Sequence, residues 1–79
     1  MIVYPVSFEP CEGMVKAVFP DVPSVTDCIG DELEDAIGNA MERLAWALAE
    51  LFAEGKPMPQ HSPVECGQLG IPAPFVWIV

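Results

Sequence analysis

One long helix-period pattern, between Leu33 and Phe52, constrains this chain more than any other feature. Leu33, Ile37, Ala40, Leu44, Leu48 and Leu51 recur at three- and four-residue steps, which places them on one apolar stripe. Met41 and Phe52 widen that stripe. A lone amphipathic helix has to bury its apolar side against something. The remaining apolar material consists of short β-branched and aromatic runs punctuated by proline. One helix packed on a small sheet is the architecture to expect.

The ends of the helix carry recognisable signals. Gly30 breaks the run before it, Asp31 is the expected N-cap, and Glu34 stands where a capping-box acid belongs. Glu32, Glu34 and Asp35 fall in the first turn, where the positive end of the helix dipole favours carboxylates. Gly55, with Pro57 beyond it, should end the helix near Glu54. Gly38 lies off the stripe and weakens the helix by about 1 kcal/mol relative to alanine.

Strand signals flank the helix. Ile2, Tyr4, Val6 and Phe8 alternate with Val3, Pro5, Ser7 and Glu9, which gives one core face. Pro5 has no amide donor, so this strand should lie at a sheet edge or turn that position outward. Gly13 suits the turn in "PCEG", and "MVKAVF" returns as a second strand, making residues 2–19 an antiparallel hairpin. "PDVP" stops it. "SVTDCI" reads as a third strand. The stretch 55–72 is rich in proline, glycine and polar residues and reads as a loop, whereas the apolar "APFVWIV" at 73–79 reads as a final strand, within the sheet or between molecules. The expected fold is α+β: a three- to four-stranded antiparallel sheet in the order β-β-β-α-β with one long helix on one face, forming a single domain over residues 1–79.

Charge narrows the function. Twelve acids face only Lys16, Arg43 and Lys56, a net charge of −9. Direct nucleic-acid binding requires clustered bases that this chain lacks. A basic protein partner, drawn in by long-range attraction, fits far better. The chain is nevertheless 52% hydrophobic, so self-association that buries apolar surface is also expected. Its longest apolar stretches are too short to span a bilayer. Cys11, Cys28 and Cys66 are odd in number and form no C-x-x-C pair; with no signal peptide, they point to reduced thiols in the cytoplasm. Together with His61 they match no zinc spacing.

Five carboxylates fall between Asp27 and Asp35. A hydrolase reading would have Asp21, Asp27 and Asp31 hold metal ions. Capping and dipole complementarity account for most of the five without any activity, so no catalytic, metal or cofactor residue is assigned. Trp46 is the exception on the helix. At 100° per residue it points nearly opposite Leu44, among Glu42, Ala49, Glu50 and Ala53. Either the proline-rich tail covers it, or it anchors another protein. Trp46, Glu42 and Glu50, with the acidic helix start at Asp31, Glu34 and Asp35, are the candidate partner surface.

Four motifs occur in order: "YPV", "GMVKAVFPDVP", "GDELEDA" and "EGKPMP". Together they resemble the N-terminal domain of the HicB antitoxin family across nearly the whole chain. The resemblance implies a partial ribonuclease-H-like fold without nuclease activity. It also implies a partner, a small basic toxin of the HicA type that cleaves mRNA and whose active site the antitoxin covers. Family members usually add a C-terminal DNA-binding segment; these 79 residues contain none, so operator binding by this chain alone is not expected. The alternative reading is an orphan oligomerisation or adaptor domain that keeps the fold without a toxin partner.

Overall fold

The computed structural model describes residues 2–26 and 28–73. Its elements are β1 (Val3–Cys11), β2 (Met14–Val18), β3 (Cys28–Gly30), α1 (Leu33–Ala53) and β4 (Leu69–Pro72). The strands form one antiparallel sheet in the order β3-β2-β1-β4. This is the α+β architecture, β-β-β-α-β, that the lone amphipathic helix requires.

The hairpin turn contains only Glu12 and Gly13, with φ of +51° and +81°. Positive φ at both central residues is the type I′ geometry that matches the right-handed twist of the flanking strands. Beyond β2 the chain folds twice upon itself. The Val22 amide donates to the Phe19 carbonyl over 3.3 Å, and the Val25 amide to the Val22 carbonyl over 3.0 Å. These turns carry Phe19, Val22 and Val25 into the core. They also shorten the third strand, which covers Cys28–Gly30 rather than the whole of "SVTDCI". Gly30 ends that strand from within, paired opposite Val15.

β1 lies inside the strand order, and Pro5 meets the second of its two expectations, a position turned outward, because the two halves of the strand have different partners. Ser7–Cys11 pair with β2, and Val3–Val6 pair with β4. The Ala73 amide donates to the Ile2 carbonyl over 2.8 Å. Bonded and non-bonded pairs alternate along an antiparallel ladder, so the Pro5–Gly70 pair is non-bonded. The nitrogen of Pro5 therefore points away from β4, on a side that β2 does not reach. The strand tolerates proline because this half has one open edge.

β4 lies inside the stretch expected to be a loop. Gln68, Gly70 and Pro72 interrupt any alternation, and the strand exists because β1 offers it a partner. The strand expected at residues 73–79 lies outside the described residues from Pro74 onward. Before β4, the chain wraps around the start of β1. The Tyr4 hydroxyl donates to the Pro59 carbonyl at 2.7 Å. Asp21 then accepts from the Ser62 amide at 2.7 Å and the Ser62 hydroxyl at 3.0 Å. Gln68 Nε2 next donates to Ser7 Oγ at 3.2 Å. Tyr4 and Ser7 point to opposite faces of the sheet, so the segment crosses from one face to the other.

The helix starts and seats differently from its sequence signals. Glu32, not Asp31, is the N-cap, extended at φ −128° with no side-chain cap bond. The first helical bond runs from the Ala36 amide to the Glu32 carbonyl at 3.1 Å. No capping box forms, because the helix abuts Gly30 and that contact fixes its entry. The buried ridge is Ala36, Ala40, Leu44 and Leu48. Leu33 is 50%, Met41 50% and Phe52 63% exposed, so these three do not widen the buried stripe. The C-terminus is a Schellman motif: Lys56 donates to the Leu51 carbonyl and Gly55, at φ +72°, to the Phe52 carbonyl. Tyr4, Val6, Leu44, Leu48 and Val22 are the large side chains at the centre of the core, each stabilising the fold by roughly 1.5–3 kcal/mol. Among the described residues no charged group is buried.

Candidate protein-interaction face

Glu42, Trp46 and Glu50 stand one turn apart, so they form a single ridge on the side of α1 away from the core. Trp46 is 67% exposed; the described part of the tail does not cover it. Opposite this ridge runs the Ser24–Thr26 segment, positioned by the Val25–Val22 turn. Between the two lies a groove of about 430 Å³, lined on the helix by Asn39, Glu42, Arg43, Trp46, Ala47 and Glu50. Val25, almost wholly buried, and Ala47 provide its apolar lining.

Asn39 closes one end. Its Nδ2 donates to the Ile29 carbonyl at 2.8 Å, fastening the helix to β3. On its far side is a second depression of about 550 Å³, bordered by Met14, Ile29, Asp31, Glu34, Asp35 and Gly38. Asn39 lines both depressions. All six residues singled out from the sequence thus border two adjoining hollows along one side of α1. The sequence did not single out Asn39 or the Ser24–Thr26 wall. The one available signal was an asparagine inside a helix, where it is a poor helix former.

The face is acidic and its charges lie in solvent. Arg43 is its one base, and the ion pair present among the described residues, Lys56–Glu54 at 3.3 Å, lies past the helix end. Glu42 and Glu50 are therefore available to a cation from outside. No group of three or more His, Cys, Asp or Glu side chains is placed to hold a metal among the described residues. Asp21 is occupied by Ser62, at the end of the sheet remote from Asp31, and Asp27 lies outside the described residues. Asp21 and Asp31 do not converge as a hydrolytic site requires. Cys28 is buried, with its thiol donating to the Thr26 carbonyl at 3.8 Å, while Cys66 is exposed. No helix among the described residues is long and apolar enough to cross a membrane.

A second polar cluster lies at the opposite end of the sheet. Tyr4 is buried, and His61 meets its ring edge-on at 6.2 Å. Burial, and secondarily the negative charge of Asp21, raise the Tyr4 phenol above its usual value near 10. This cluster fastens the 56–68 segment rather than building a site.

Sheet, helix and surface together define a small α+β domain that presents an acidic, tryptophan-bearing helix face. A family model for the HicB-like antitoxins of bacterial toxin–antitoxin systems matches residues 3–78. The chain belongs to this family, whose role is that of the antitoxin partner to a toxin. A comparison with curated protein sequences finds no match.

Proposed function

We propose that the domain neutralises a small basic mRNA interferase of the HicA type by laying its acidic helix face over the toxin's active site. The observation that carries this reading is the Glu42–Trp46–Glu50 ridge on a member of an antitoxin family. An RNA-cleaving toxin has to attract phosphates, so its active site is electropositive. Carboxylates held beside an exposed tryptophan supply both attraction and an apolar anchor to such a surface. An arginine or lysine over the indole face gains a cation–π contact between two acids. The antitoxin acts by occlusion, without catalysis or cofactor, and with three bases in all it does not itself compete for RNA. We place it in the cytoplasm, where mRNA and reduced thiols coexist.

The test is co-expression and binding with a small basic toxin of the HicA type, sought first among the proteins encoded beside it. A stable complex that restores growth is expected. Glu42→Lys combined with Glu50→Lys should slow association about ten-fold or more at low salt, with the difference shrinking as salt screens the charges. An unchanged on-rate that is also indifferent to salt would exclude the acidic face as the contact. Failure to form a complex or to rescue growth would exclude the toxin assignment itself.

A further inference from the structure

A different flank of α1 carries no charge between Glu34 and Lys56. Gly38, Met41, Ala45, Ala49 and Phe52 follow one another along it at three- and four-residue steps. Met41 is half exposed and Phe52 nearly two-thirds. We infer that two copies of the chain meet through this flank, their α1 helices packed antiparallel about a twofold axis at Ala45.

Three observations favour a second copy. First, the flank matches itself. In a twofold contact, positions equidistant from the axis face one another. One turn either side of Ala45, Met41 of one copy meets Ala49 of the other. Two turns out, Phe52 meets Gly38. A large side chain opposes a small one each time. Gly38, which also borders the acidic depression, has nothing within 4 Å of the position its side chain would take, so there is room for a ring. One turn further, the same symmetry brings Glu34 level with Lys56, acid against base.

Second, charge disfavours other faces. Two copies at −9 each repel, and a twofold contact through the Glu42–Glu50 ridge would set acid against acid. Centred on the uncharged flank, the contact leaves Glu42 at its rim and turns Glu50, about 140° round the helix from Ala45, away from the other copy. Third, the sheet edges are poor at pairing. Pro72 removes a donor from β4, the outermost strand on that side, and Asn39 already occupies the Ile29 carbonyl of β3. Among the described residues, self-association through side chains is therefore favoured over pairing of sheet edges.

The purified full chain at about 100 μM should sediment at twice its 8.6 kDa mass. Raising salt from about 50 to 500 mM should tighten the dimer several-fold, because screening weakens the repulsion between like-charged copies. Met41→Glu should give a monomer. Gly38→Met is the sharper variant. It adds no contact to the monomer and replaces a helix-weakening glycine, so thermal stability measured on diluted monomer should stay level or rise, while the dimer is lost. Arg43→Gln, about 160° round the helix from Ala45, should leave the dimer intact. A monomeric wild-type chain, a dimer that survives Gly38→Met, or one that dissociates with Arg43→Gln alone would each overturn the inference.

Discussion

Gly30→Ala tests what places the helix on the sheet. A methyl built at Gly30 lands on the Ala36 nitrogen and comes within 2.5 Å of the Asp35 Cβ and 2.7 Å of the Asp35 carbonyl carbon. Carbon atoms rest about 3.5–4.0 Å apart, so the start of α1 has to lift by about 1 Å. Two of the three groups encountered are backbone and cannot rotate aside. Overpacking of this kind costs about 1–3 kcal/mol. Lifting the first turns also strains the Asn39–Ile29 hydrogen bond, worth about 1 kcal/mol. A loss of about 2–4 kcal/mol is expected, a large part of the roughly 4–12 kcal/mol that stabilises a domain of this length. In urea, with a slope of about 1 kcal/mol/M, the midpoint followed by helical circular dichroism should fall by about 2 M or more.

Two other glycines calibrate the result. At Gly70 the obstacles are side-chain methyls, Val3 Cγ1 at 2.6 Å and Val64 Cγ2 at 3.1 Å; these give way more easily, so Gly70→Ala should cost less. Gly38 faces open space, and Gly38→Ala should stabilise the isolated helix by about 1 kcal/mol. If Gly30→Ala leaves the midpoint where it was, or ranks below Gly70→Ala, the close approach of α1 to β3 does not set the helix position.

Three further expectations follow from the polar contacts. Burial favours the neutral Tyr4 phenol, so the unfolded chain gives up that proton first as pH rises; stability should fall above about pH 10, and Tyr4→Phe should flatten the fall while losing about 1 kcal/mol at neutral pH, as read from denaturation at each pH. Glu32 caps the helix without a side-chain bond, so Glu32→Ser should raise stability by about 0.5–1 kcal/mol in the same melts. Asp21→Ala removes both Ser62 contacts and should speed proteolytic cleavage within residues 56–68 without moving the helical signal.

The sequence made the helix and hairpin legible because each is specified within a few residues: an apolar period for α1, a positive-φ turn at Glu12–Gly13 for β1 and β2. It misplaced elements defined across the chain. β4 has no strand pattern of its own and takes its conformation from β1. A local contact was also illegible: Asp31 has the right chemistry for an N-cap, but Gly30 packs against Asp35 and Ala36 and the cap falls at Glu32. The acidic ridge could be read from Glu42, Trp46 and Glu50 because a helix converts spacing into direction. Its facing wall, Ser24–Thr26, could not, since two turns place it there. Leu33 satisfies the helix period yet remains half exposed, as the first residue of α1.

The divided pairing of β1 gives the domain an order of assembly. Its second half needs only the neighbouring hairpin strand, available as soon as Val18 has been made. Its first half waits for Leu69–Pro72, and closing so long a loop is entropically costly and slow. During synthesis the chain can therefore hold its hairpin and helix while its opening residues remain unlatched. The acidic ridge belongs to the early part, and the pairing of β1 with β4 closes last.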